Sequence, residues 1–177
     1  GGDIWLVRNG KIVPSAPVNY YNNRASRTCV GITYDGQVVL MVLDGRQEPF
    51  SAGGSAIEIA QIMLDAGCVS AINLDGGGSS TFAARGEGSE TISVVNRPSD
   101  GYERSVSSSL LVVSTAKPSN VFDHAVVSAD YDYLTVGTEL TVNASGVTST
   151  GGAIALPDGS ALKVSDESLG TLSGNVF

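Results

Sequence analysis

At 177 residues and 42% apolar content, the chain has room for one full domain and part of another, with enough apolar mass for a core. Ten basic against eighteen acidic residues leave a net charge of −8 at pH 7, which opposes nonspecific attraction to nucleic acid or an anionic membrane, so any phosphate must be bound locally. No run approaches the roughly 18 consecutive apolar residues of a bilayer span, and the first residues lack a basic-then-apolar signal pattern. The chain opens on Gly1-Gly2-Asp3 without a methionine, and an upstream part is expected to have been removed.

In chain order, Leu6 to Val13 encloses Asn9-Gly10, and Cys29 to Leu43 encloses Asp35-Gly36. Both read as two-residue hairpins in which the dipeptide supplies positive φ. Val38 to Leu43 is apolar without alternation, which predicts a strand buried on both faces. Ser55-Ala56-Ile57-Glu58 matches a capping box, and Ile57, Ile59, Ala60, Ile62, Met63 and Leu64 give a broad helical face ending before Gly67. A strand over Val69 to Leu74 follows. Strand, helix and strand make a βαβ unit, which predicts parallel strands and brings Asp44 and Asp75 to one carboxyl-end rim. Thr81 to Ala84, Thr91 to Val95 and Ser105 to Ser114 read as further strands, with Asn96 to Gly101 a polar loop between the last two. Ser114 to Asn120 reads as a linker. Beyond it, short alternating runs such as Leu140 to Ala144 and the turn Pro157-Asp158-Gly159 predict a β-rich second module.

The most informative stretch is Asn73-Leu74-Asp75-Gly76-Gly77-Gly78-Ser79-Ser80-Thr81. Three consecutive glycines cost backbone entropy and require a reason. The expected reason is close approach of backbone to a ligand, with successive N–H groups and three hydroxyls forming an anion cradle. A mobile glycine-serine loop is the alternative. No lysine follows the glycines, no GxGxxG is present, and GxSxG is missing, so Walker, dinucleotide and serine-elbow explanations fail.

Asp44 and Asp75, each ending a strand, form a carboxylate pair suited to acid-base work at a glycosidic bond, although either alone also serves as a cap or turn former. Arg27, Arg46, Arg97 and Arg104 fall beside motif-like segments and suit bidentate phosphate binding, with surface salt bridging as the alternative. Glu58 is a reserve carboxylate better explained by helix capping. Asp44, Asp75 and Asp100 could hold a hard cation such as calcium through oxygen; no cofactor is otherwise required. Cys29 and Cys68 read as buried thiols, with one disulfide open if their Cα atoms lie within about 7 Å. His124, the single histidine, reads as a surface residue.

Arg27-Thr28-Cys29-Val30-Gly31, Asp44-Gly45-Arg46, the Asn73 to Thr81 stretch, and Asn96-Arg97-Pro98-Ser99-Asp100 with Arg104 together resemble the phosphodiester glycosidase family, over about residues 4 to 114. The resemblance implies a glycoside hydrolase that cleaves the C1–O bond of a sugar 1-phosphodiester, either N-acetylglucosamine-1-phosphodiester-like or a cell-envelope glycopolymer, at a secreted or envelope location. It implies Asp75 and Asp44 as catalytic groups with Glu58 in reserve. Phosphate or substrate contacts would fall to Arg27, Thr28, Arg46, Gly76, Gly77, Gly78, Ser79, Ser80, Asn96, Arg97, Asp100 and Arg104. Family members carry an upstream portion that this chain lacks, so a separate N-terminal piece of the same protein is an expected partner, with no nucleic acid and no membrane span. Residues 121 to 177 are similar to part of a bacterial immunoglobulin-like module, with Val164 to Thr171 the suggestive segment. The expected fold is therefore α+β or mixed α/β: a mixed sheet with a βαβ unit and hairpins over 1–114, a linker at 115–120, and a partial β-sandwich over 121–177. A non-catalytic envelope module binding anionic glycopolymer through the same loop is the alternative function.

Overall fold

The computed structural model describes residues 4–13, 22–131 and 133–177; the opening Gly1-Gly2-Asp3 lies outside them. The chain divides into two compact units, one of residues 1–84 and 94–110, the other of residues 85–93 and 111–177.

The first unit is built on a five-stranded sheet in the order β2-β1-β5-β3-β4. Strands β1 (Ile4–Arg8) and β2 (Lys11–Ile12) form the first predicted hairpin, and Asn9 and Gly10 take φ of 51° and 68° as its two-residue turn requires. The second hairpin, between β3 (Arg27–Thr33) and β4 (Val38–Leu43), is longer than predicted. Thr33 N–H donates to the Gln37 carbonyl (2.9 Å), and only Gly36 has positive φ (85°). That is a three-residue turn with its left-handed residue at the end.

Helix α1 (Ala56–Asp65) begins at the predicted capping box: Ser55 caps the Glu58 N–H while the Glu58 carboxylate accepts from the Ser55 N–H. Its buried residues are Ala56, Ile59, Ala60 and Met63, at i, i+3, i+4 and i+7. Ile57 and Ile62 are largely exposed, so the apolar face is narrower than the sequence predicts. The core joins these residues to Leu6, Val7, Cys29, Cys68 and Ala71 of the sheet. A bulge in β1 between Trp5 and Val7 turns both Leu6 and Val7 inward.

The βαβ expectation holds in direction but not in adjacency. Strands β4 and β5 (Cys68–Asn73) are both antiparallel to β3, so they run the same way with β3 inserted between them. The register fixes a rim: Arg27 opposes Leu43, and Cys29 opposes Asn73. The ends of β4 and β5 and the start of β3 therefore meet at one end of the sheet.

Strand β4 is an edge strand and is not buried on both faces as its composition predicts; Val38 and Leu40 are 63% and 40% exposed. Trp5, Ile72, Val30 and Leu40 are successive cross-strand partners over four strands, on the side of the sheet away from the helix. Continuous apolar character thus serves both sides of this sheet, and α1 covers one of them. The register also excludes a Cys29–Cys68 disulfide. Cys68 pairs with Thr33, four residues along β3 from Cys29, roughly 13 Å at about 3.3 Å per residue, and both thiols are free and buried.

Strands β6 (Ala83–Arg85) and β7 (Ile92–Val94) pair as a short hairpin, as predicted. Ser105 to Ser114 is not a strand; it makes no ladder, and Leu110 to Val113 are 60–81% exposed. An apolar run needs a hydrogen-bonded neighbour to become a strand, and the described residues supply none there. The second unit holds a three-stranded antiparallel sheet, β10-β9-β8, from β8 (Phe122–Ala129), β9 (Val142–Thr148) and β10 (Ala153–Ile154). His124 is exposed on β8 beside Asp123 and Glu87, whose carboxylates raise its pKa.

Gly31 lies on β3 facing the helix. A Cβ there would sit 2.6 Å from Cys68 Sγ, 2.8 Å from Met63 Cε and 3.0 Å from the Ser70 carbonyl. Gly31→Ala is expected to destabilise the chain by about 1–3 kcal/mol through overpacking, read as a lower denaturation midpoint at unchanged m-value.

Candidate functional site

The sheet rim carries a cavity of about 310 Å³ whose wall includes Arg27, Arg46, Asp75, Gly76, Gly77, Gly78 and Arg104. Among the described residues, three arginines and one carboxylate line this cavity, in a chain whose overall charge is negative. That local excess of positive charge suits an anion.

The glycine turn is fastened to the start of β3. Leu74 N–H donates to the Thr28 carbonyl (2.8 Å), Gly77 N–H to the Ser26 carbonyl (2.9 Å), and Thr28 Oγ1 to Ser80 Oγ (3.0 Å). Gly77 to Ser79 then form one 3-10 turn. The backbone cradle predicted from sequence is not what these bonds leave. Gly76 N–H donates to Asp75 Oδ1 (2.9 Å), Ser79 N–H to the Gly76 carbonyl, and Ser80 N–H to the Gly77 carbonyl, so the Gly76, Gly77, Ser79 and Ser80 amides are all committed inside the protein.

The glycines are instead needed for close approach of protein to protein. A Cβ on Gly76 would lie 2.9 Å from the Ser26 carbonyl oxygen. Gly77 has φ of 62°, and a Cβ there would meet Arg46 Nη1 at 3.2 Å. A Cβ on Gly78 would overlap both the Arg104 guanidinium and the Asp100 carboxylate. Two arginines therefore lie against the turn because it has no side chains.

Each arginine is held differently. Arg27 is buried, and its Nε and Nη2 donate to the Gly54 (3.0 Å) and Asn23 (2.7 Å) carbonyls. Arg46 is exposed and takes φ of 59°, a left-handed conformation that costs a non-glycine residue on the order of 1 kcal/mol or more. Arg104 donates from Nε (2.9 Å) and Nη2 (2.6 Å) to Asp100 Oδ2. Asp75 is exposed on the cavity wall, its Oδ1 turned toward the Gly76 N–H.

The remaining sequence candidates stand outside the wall. Asp44 accepts from Asn96 Nδ2 (2.8 Å) and from the Arg97 N–H at both oxygens (3.1 and 3.0 Å). Asn96 also donates to the Ser80 carbonyl (3.1 Å) and accepts from the Phe82 N–H (2.6 Å). The Arg97 guanidinium stacks 5.1 Å over the Phe50 ring. Thr28 and Ser80 are joined to each other, and Ser80 is fully buried. Ser79 is half-buried in the turn.

Glu58 borders a separate hollow with Arg24, Ile59 and Ile62. The Ser55 N–H and hydroxyl, then Arg24, hold its pKa down to about 2. Its carboxylate is thus occupied at the helix end and does not reach the arginine cavity. Among the described residues, no group of three His, Cys, Asp or Glu side chains is placed to hold a metal, so Asp44, Asp75 and Asp100 do not gather as a cation site.

Asn23, Ala25, Asn73 and Leu74 also line the cavity. Asn73 stood at the head of the glycine stretch and was legible in principle; Asn23 carried no signal beyond polarity. Cys29 Sγ lies 3.9 Å from Asn73 Oδ1, and burial, opposed by the Arg27 charge, pushes its thiol up to about 12, so it stays protonated and is no nucleophile.

Residues 1–113 match the family described as phosphodiester glycosidase. The chain is 34% identical over 111 residues to an uncharacterized SPbeta prophage-derived protein, YomE, of Bacillus subtilis, covering 62% of this chain and 16% of that one. It is 36% identical over 99 residues to the Bos taurus N-acetylglucosamine-1-phosphodiester alpha-N-acetylglucosaminidase, covering 48% and 18%. Among solved structures, the catalytic domain of the zebrafish enzyme of that name, auto-inhibited by its pro-peptide, aligns with 26% identity and a TM-score of 0.44 over 55% of this chain and 34% of that one. The chain thus spans under a fifth of the length of these curated relatives.

Two outcomes follow from the geometry. Glu58, with a folded pKa below its unfolded value, adds stability that is present above the unfolded value of about 4.3 and is lost as pH falls toward about 2. The stability gap between wild type and Glu58→Gln is therefore expected to be constant near neutrality and to close between those limits, followed by denaturant titration at each pH. Arg46→Gly relieves the left-handed strain and is expected to keep or raise the melting temperature, followed by thermal denaturation; a large stability loss would refute the strain.

Proposed function

The chain belongs to the phosphodiester glycosidase family, and from that premise we propose that it hydrolyses the C1–O bond of a sugar 1-phosphodiester. The observation that carries this reading is one cavity holding Arg27, Arg46 and Arg104 together with Asp75. The arginines take the phosphate, and Asp75 faces the sugar. Water attacks the anomeric carbon while the Asp75 carboxylate takes its proton. The C1–O bond breaks, and its electron pair leaves on the phosphate oxygen. A phosphate leaving group needs little protonation, so a site in which three guanidinium groups stand beside a carboxylate suits this bond better than an ordinary glycoside. In the wider reading the sugar is N-acetylglucosamine-like or part of an envelope glycopolymer, and the chain acts outside the cytoplasm. Residues 121–177 serve there as an immunoglobulin-like accessory module.

A non-catalytic envelope module that binds anionic glycopolymer is the second reading, favoured because Asp75 is the one carboxylate that the described residues place on the cavity wall. Turnover of a synthetic sugar 1-phosphodiester separates the two. Asp75→Asn is expected to lower kcat by about 10²-fold or more, the range for loss of a positioned base, with inorganic phosphate affinity preserved. Full activity in that variant would eliminate the catalytic assignment.

A further inference from the structure

Asp44 follows the end of β4 at the same rim as Asp75, yet it does not line the cavity. Its surroundings define another task. Oδ1 receives both the Asn96 amide (2.8 Å) and the Arg97 N–H (3.1 Å), and Oδ2 receives the same N–H at 3.0 Å. A base must present an oxygen to substrate or water, whereas both oxygens here are turned to the 96–97 backbone and amide.

The segment held in this way leads to the cavity. Its start is tied to the end of β4 by Asp44 and by Gln47 Nε2, which donates to the Arg97 carbonyl (2.7 Å). It is tied to the exit of the glycine turn through Asn96, Ser80 and Phe82. Gly101 N–H then closes a turn onto the Pro98 carbonyl (3.0 Å), Asp100 follows within that turn, and Arg104 is fixed to Asp100. Arg104 itself is exposed and bonded to Asp100 through Nε and Nη2, so its place over Gly78 depends on where Asp100 sits.

We propose that Asp44 is a positioning residue: its carboxylate clamps the 96–97 backbone and thereby sets the Asp100–Arg104 pair on Gly78, completing the phosphate-binding wall. The inference rests on the reading of the cavity as a phosphate site, but the clamp itself is testable without it. Charge-assisted acceptance from a backbone N–H and an amide is about twice as strong as a neutral bond, so the carboxylate is matched to this use. Asparagine in its place keeps one acceptor oxygen and loses the charge.

The test compares Asp44→Ala and Asp44→Asn with Arg104→Ala and Asp75→Asn in the full chain. Hydrogen exchange is read first: Asp44→Ala should speed exchange across residues 97–104 about tenfold while leaving 56–73 unchanged, with Asp44→Asn in between. Protection at 97–104 that does not change overturns the clamp. Kinetics on a synthetic sugar 1-phosphodiester are read second. Asp44→Ala should raise KM about tenfold, leave kcat within a few-fold and keep both limbs of the pH profile, and combining it with Arg104→Ala should add little. A kcat loss as large as that of Asp75→Asn, with one limb gone, shows Asp44 to be a catalytic acid or base and overturns the proposal. If the wild-type chain turns over no diester, the proposed function falls, while the exchange result still decides the clamp.

Discussion

Side chains can lie against the turn at Gly76 to Gly78 only because that turn has none of its own. Gly77 accommodates the Arg46 guanidinium, Gly78 the Asp100–Arg104 pair, and Gly76 the Ser26 backbone. A methyl group at the last position would displace the Asp100–Arg104 pair, of which Arg104 lines the cavity. The rest of the first unit holds this contact: β3 and β5 bring Arg27 and Asp75 to one rim, and the bonds from Ser26, Thr28 and Ser80 fasten the turn between them.

The positive potential of the site is therefore made by side chains, not by backbone amides, most of which the turn uses internally. That division has a chemical consequence. Guanidinium groups bind phosphate through paired donors and stay charged at any working pH. The cost falls on Arg46, held in a left-handed conformation beside the glycine it packs on.

The local signals in the sequence proved dependable where a single turn or cap decides the structure. Asn9-Gly10, the Ser55 to Glu58 box and Gly67 after α1 each did what its chemistry requires. The signals for burial were less specific. Val38 to Leu43 and Leu110 to Val113 are both continuously apolar, yet one is an edge strand and the other forms no strand, because apolar content states a preference for burial without naming the surface that provides it. Ile57 and Ile62 make the same point on the helix, where spacing identifies a face but not its width.

By itself, the sequence determined the two hairpins, the capped helix, the strand leading into Asp75, and the importance of the three glycines, since each depends on residues within a few positions of one another. The tertiary structure alone decided which carboxylate borders the cavity. Asp44 and Asp75 look equivalent in the chain, each closing a strand at one rim, but residues 96 and 97, some fifty positions after Asp44, take up its oxygens while Asp75 remains on the wall. Hydrogen-bond partners so distant along the chain leave no local pattern, so the role of a carboxylate is set by what the fold brings to it.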